Sequence, residues 1–380
     1  MGNSRSCWWV LSLFVALSAG LPARAAASEV STLDPPETWI VVAEQAIVMA
    51  GNDRVGVSPR GTMLRATRAR GPWRFDPDIK GWVHSRDIMP VAEALKHFTA
   101  EIKERPTAMA YHLRGIARMN IGEWGMAMND LQRAYELGEN AVTLHFNRGV
   151  CLEHLGRPDD ALSEYSVILE TYPDEFPANM ARGHLLLADG KVESALEDFQ
   201  QACKLQPDSA DAHDQRGVAL RMLGRYEEAL AAYNKALAAN PKHASALANR
   251  AYTNKSLGEY AVALEDYESA AKLDETSLTI KNDLAWMLAT CPDKTIRDSE
   301  RAVSLSEEIC RETEFENGEY LDTLAAAYAS AERYEAAVQA AELALTKLAD
   351  GPTKTEVRKR RELYKEKQAY REEFSPSKRK

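Results

Sequence analysis

Small residues recur every 34 positions through the middle of this 380-residue chain, and that spacing limits the fold more than any other feature. Gly115, Gly149, Gly183 and Gly217 are continued by Ala251, and seven residues after each stands Gly122, Gly156, Gly190, Gly224 or Gly258. Five further on comes an alanine in every unit (Ala127, Ala161, Ala195, Ala229, Ala263), then Leu131, Tyr165, Phe199, Tyr233 and Tyr267. Pro173, Pro207 and Pro241 close the middle three units. A fixed period without gaps marks an array in which each unit buries its apolar face only against its neighbours. The first small residue belongs mid-helix, where two helices cross closely enough to exclude a larger side chain. The second glycine suits a helix C-terminus that ends in a left-handed residue. The alanine and the aromatic four residues later share one face of a second helix, which the proline stops.

This pattern resembles the tetratricopeptide repeat family over five units, 108–141, 142–175, 176–209, 210–243 and 244–277. It departs from the family where Glu139 and Glu275 replace the usual proline and where Arg114, Arg148, Arg182, Arg216 and Arg250 replace the usual leucine. Sixteen residues after four of those arginines stand Asp130, Glu164, Asp198 and Asp266, which predicts a ladder of guanidinium–carboxylate pairs between the two helices. An irregular sixth repeat is expected at 278–317, its first helix broken early at Ala289-Thr290-Cys291-Pro292-Asp293, and a seventh at 318–351. Residues 352–380, with eleven Lys/Arg against five Asp/Glu, read as a capping helix over Thr355 to Phe374 and a basic tail. Residues 91–107, carrying Ala94, Phe98 and Pro106, read as a half-repeat bridging helix.

The front of the chain has a different texture. Arg5, an apolar run from Trp8 to Leu21 and Ala23-Arg24-Ala25 read as a signal peptide over 1–25. The run is shorter than the ~20 apolar residues of a membrane span, so export to the periplasm, cell envelope or extracellular space is expected, with an uncleaved anchor as the alternative. A linker is read at 26–35, and 36–90 holds short apolar or alternating runs separated by turn residues such as Ser58-Pro59-Arg60-Gly61 and Asp76-Pro77-Asp78. Through Val55-Gly56, Gly61-Thr62-Met63-Leu64, Gly71-Pro72-Trp73 and Lys80-Gly81-Trp82-Val83 this stretch resembles a bacterial SH3-like domain. That resemblance implies a small β barrel with an aromatic groove for peptides or cell-wall polymer, nominating Trp39, Trp73, Phe75 and Trp82. In so small a barrel at least two of these are expected to fill the core. The fold class is therefore mainly α: a tetratricopeptide α-solenoid of about seven helix pairs with a C-terminal capping helix, preceded by an SH3-like β barrel.

A net charge of −10, an acidic body with a basic tail, does not match the basic face of a nucleic-acid binder. Cys291 and Cys310 flank the irregular turn, where export permits a disulfide; two buried thiols are the alternative. No zinc-protease, phosphate-loop or nucleophile-elbow motif is present, and Cys151 with His154 is a lone pair rather than a metal site. No catalytic residue, metal or cofactor is assigned. The family resemblance implies that first helices line a concave groove, here through His112, Ile116, Phe146, Val150, His154, Met180, His184, Asp214, Arg221 and Tyr252. Phe146, Met180 and Tyr252 would grip an extended or helical peptide, unless these side chains pack between repeats. The expected function is a non-enzymatic protein–protein interaction scaffold of the cell envelope. The alternatives are a cell-wall-associated module attached through the SH3-like domain and an enzyme accessory subunit.

Overall fold

Alternation sets the first elements: in Gln45–Ala50, Ala46 and Val48 turn inward while Gln45 and Ile47 stay exposed. A computed structural model describes residues 30–43, 45–51 and 53–373, so the signal-peptide reading and Phe374 lie outside the described residues. Two compact units divide the chain, the first ending at Ala181 and the second starting at Arg182.

In the first unit, strands β1 (Ser31–Val41), β2 (Gln45–Ala50), β3 (Asp53–Pro59), β4 (Met63–Arg70), β5 (Trp73–Asp76), β6 (Gly81–His84) and β7 (Ile88–Pro90) form one antiparallel sheet. Their order is β3-β2-β6-β5-β4-β1-β7. The sheet is open, with β3 and β7 as edges that do not pair with each other, and this corrects the expectation of a closed barrel. Strands β5, β6 and β7, of three or four residues, offer too few ladder bonds to carry the sheet round to β3. β1 starts within the stretch read as linker, and its pairing with β4 shifts register between Thr32 and Glu37, where Pro35 and Pro36 supply no N–H. The turn after β5 is fixed by buried Asp76, whose carboxylate accepts from the backbone N–H of Asp78 and Ile79 at 2.7 and 3.1 Å.

The sheet has its own apolar cluster around Trp39, Val41, Val48, Leu64 and Val83. Ile40 instead joins Val91, Ala94 and Phe98 of α1 (Val91–Glu104) and Ala110, Leu113 and Ile116 of α2 (Ala108–Asn120). Strand, bridging helix and first repeat thus share one core. Helix α2 packs on α3 (Trp124–Glu136), and α4 (Val142–His154) on α5 (Pro158–Thr171).

Helix α6 (Phe176–Ala188) crosses the boundary between the units and is followed by α7 (Val192–Leu205). The second unit then pairs α8 (Ala210–Met222) with α9 (Tyr226–Ala239), α10 (Ala244–Ser256) with α11 (Tyr260–Leu273), α12 (Leu278–Thr290) with α13 (Ser299–Glu312) and α14 (Gly318–Ser330) with α15 (Tyr334–Lys347). The closing helix, α16 (Pro352–Lys365), packs on α15. It is shorter than expected: Lys367 takes a left-handed conformation at φ 58°, and the chain leaves the helix. Cys291 and Cys310 are separate free thiols, which corrects the disulfide expectation. The first packs with Met287 and Ile296, the second with Leu321 and Leu324, in two different apolar clusters.

Each recurring residue has the role its spacing suggests. A Cβ on Gly149 would lie 2.5 Å from Cε1 of Tyr165, and one on Gly183 would lie 2.7 Å from Cε1 of Phe199, so glycine is what lets the paired helices meet there. Gly122, Gly156, Gly190, Gly224 and Gly258 end their helices at φ between 69° and 83°, conformations that side chains resist.

The arginine ladder is present in four units. Arg114 holds Asp130 through two bonds of 2.8 and 2.6 Å, as do Arg182 with Asp198 and, at 2.8 and 2.7 Å, Arg250 with Asp266; Arg148 meets Glu164 at 2.9 Å. The fourth unit breaks the pattern, because buried Ala232 stands where the carboxylate belongs to Arg216. Supplying that carboxylate with Ala232→Asp should raise stability by about 1 kcal/mol, since a charged hydrogen bond to an already partly buried guanidinium outweighs the added desolvation. Hydrogen exchange in α8 and α9 would then slow; unchanged or faster exchange would show that the ladder adds nothing net.

Candidate functional site

First helices present one position per repeat at the same register: Ile116, Val150, His184, Val218, Tyr252 and Trp286. What that position does differs between repeats. In the first unit, Ile116 is buried against the sheet-side core. His112 is 4% exposed, its Nδ1 paired with Glu139 and its Nε2 3.0 Å from Asn147 Nδ2. The sequence pattern places both in the groove, and both instead hold elements together, because the period cannot separate an open face from a joint between repeats. Phe146, Val150 and Met180 are half-buried, with Phe146 tilted against Tyr165 at 5.5 Å. His154 is exposed and stacks flat on Trp124, ring centres 3.7 Å apart.

In the second unit, His184 is exposed beside Phe199, whereas Asp214 is buried and accepts from Asn249 Nδ2 at 3.0 Å. Arg221 and Tyr252 do come together. The Arg221 guanidinium lies 4.8 Å from the Tyr252 ring centre and Lys255 Nζ lies 5.2 Å from it, while the ring keeps 41% of its surface exposed. One turn of the array further, Asp283 and Trp286 continue this face. Burial pushes Asp283 up to about 6, against the pull of Lys255 and Arg221. Lys255, Asp283 and Trp286 were not among the residues expected from sequence. Trp286 was within reach, since it stands 34 positions after Tyr252.

Three of the four aromatics nominated in the sheet remain at its surface. Trp39 alone is buried, at 8%, rather than the two or more expected. Phe75 and Trp82 are half-buried with ring centres 5.2 Å apart, and the Arg68 guanidinium lies 3.8 Å above Phe75. Trp73 meets His84 edge-on at 5.0 Å.

Burial pushes the Cys151 thiol up to about 12 and that of Cys310 to about 11, so neither is a thiolate near neutral pH. Among the described residues no three His, Cys, Asp or Glu converge as metal ligands, and no helix is long and apolar enough to cross a membrane. An open cavity of about 610 Å³ lies beside the gap in the ladder, lined by Cys203, Lys204, His213, Arg216 and Lys235.

The tetratricopeptide repeat model matches residues 112–176, 180–244 and 215–277. These segments are tetratricopeptide repeats. Over 82 residues the chain is 28% identical to mouse (Mus musculus) sperm-associated antigen 1 and 27% identical to the rat (Rattus norvegicus) protein, covering 22% of this chain. The match spans only 9% of the length of those relatives. Among solved structures, MamA from Desulfovibrio magneticus is 20% identical, with 45% of this chain and 96% of that one covered at a TM-score of 0.42. YrrB, described as a tetratricopeptide protein with an unusual peptide-binding site, is 22% identical, with 48% and 95% covered at a TM-score of 0.43. Tetratricopeptide arrays generally serve as protein-interaction scaffolds.

Proposed function

We propose that this chain is a non-enzymatic scaffold that holds a peptide segment of a partner protein against the first-helix faces of its tetratricopeptide repeats. The observation carrying this reading is Tyr252, a large ring left 41% exposed between two cations, Arg221 and Lys255. Such a ring offers apolar area and a hydrogen-bonding tip at low entropic cost, which suits peptide contact. Phe146 and Met180 offer a comparable surface in the first unit. With the export signal read at 1–25, the partner belongs to the cell envelope. The full chain, used as bait in envelope extracts, should capture a protein that Phe146→Ala with Tyr252→Ala releases at least tenfold. Identical capture by bait and double variant would overturn the reading.

A second reading draws on the sheet. As an SH3-like domain, it would attach the chain to cell-wall polymer through Arg68, Phe75 and Trp82, a cationic and aromatic surface suited to sugar rings and peptide stems. Cosedimentation of the full chain with purified wall, lost in Trp82→Ala, is the result this reading expects.

A further inference from the structure

The residues after α16 do not trail away; they run back across the second unit. Helix α12 stops at Thr290 because Pro292 cannot continue it. The regular repeats close their first helices with a glycine turn, as where Gly224 N–H bonds Arg221 O and Arg225 N–H bonds Leu220 O. In α12 that turn is absent, and carbonyls of its last turn need other donors. The tail provides them. Glu372 donates its backbone N–H to Thr290 O at 2.9 Å, and Arg371 Nη1 donates to Ala289 O at 2.8 Å.

Side chains extend the seat. Glu372 Oε1 accepts from Trp286 Nε1 at 2.7 Å and from Lys255 Nζ at 3.1 Å, joining α12 to α10. Tyr370 lies tilted over Trp286 at 6.0 Å, with the Arg360 guanidinium about equally distant from both rings. Main-chain bonds at one end, a carboxylate between an ammonium and an indole N–H, and an aromatic ring on an aromatic floor are how a bound peptide is held.

We propose that residues 368–373 are a built-in ligand of the α10–α12 face, and that this face accepts a partner peptide with the same order of groups: an aromatic, a basic residue and then a glutamate. The inference rests on the peptide-scaffold reading above and deepens it by naming where the peptide sits and what shields the seat. An external peptide reaches Lys255 and Trp286 by displacing the tail, so the chain's own segment sets the threshold for binding.

The test uses the full chain and a fluorescein-labelled hexapeptide copying residues 368–373, Gln-Ala-Tyr-Arg-Glu-Glu. Anisotropy should show binding at least tenfold tighter to a chain carrying Arg371→Ala with Glu372→Gln than to the unaltered chain. Adding Lys255→Glu should remove the gain, and a peptide with lysine at the place of Glu372 should restore binding to that triple variant. Equal affinity of the unaltered and tail-altered chains would overturn the inference, as would no binding by a tail-altered chain that melts at the unaltered temperature. If the tail variant itself melts lower, charge reversal decides: Lys255→Glu alone should bind the lysine-bearing peptide, and adding Glu372→Lys should exclude it again, whereas equal binding by the two would overturn the inference. Envelope capture that depends on Phe146 and Tyr252 but ignores the tail would sink this inference alone. Peptide exchange without any captured protein would sink the scaffold reading alone.

Discussion

Replacing Arg360 with alanine should destabilise the closing helix by about 3–5 kcal/mol, the usual cost of leaving one charge of a buried pair behind. Arg360 is 8% exposed and holds Asp322 of α14 through bonds of 3.1 and 2.6 Å. Asp322 is itself buried, so it cannot turn to water when its partner is removed. The change also takes away the cation above Trp286 and Tyr370, which lie 5.2 and 5.3 Å from it. Hydrogen exchange across residues 352–373 should accelerate at least ~100-fold, since every 1.4 kcal/mol is tenfold. Arg360→Met with Asp322→Leu should lose far less than Arg360→Ala, because it removes both charges together. If the single change proves as mild as the double one, the pair is not what docks the helix.

The second large effect concerns a helix crossing. Gly149→Val should cost about 3 kcal/mol, at the upper end for forcing extra carbons into a packed core. The Tyr165 ring that a new side chain would strike is fully buried, and its hydroxyl is tied to Glu153 at 2.5 Å, so it has little room to retreat. Gly149→Ala should cost about 1 kcal/mol, because the fifth unit already accommodates Ala251 against Tyr267. Exchange rates of α4 and α5 should rank glycine, alanine and valine in that order. Equal rates for alanine and valine would point to a loose crossing.

The helical part of this fold was legible because its determinants lie close in sequence. A glycine and the ring it faces are sixteen residues apart, as are an arginine and its carboxylate, so one spacing displays both. The sheet was legible in its runs but not in its closure, which depends on how far β5, β6 and β7 reach. The groove was half legible. His112 and Asp214 sit at first-helix positions like those of Phe146 and Met180, yet their partners, Glu139 and Asn249, turn them into joints. The tail was the part sequence could not place. Glu372 meets Lys255 across 117 residues, and nothing local in a charged, helix-forming stretch announces that it leaves the helix at Lys367.

The missing rung at Ala232 has a mechanical consequence. Units coupled only to their neighbours bear load in series, and a series parts at its weakest joint. Pulled from its ends, the second unit should part α8 from α9 before it parts α10 from α11, because Arg216 has no carboxylate sixteen residues on while Arg250 holds Asp266.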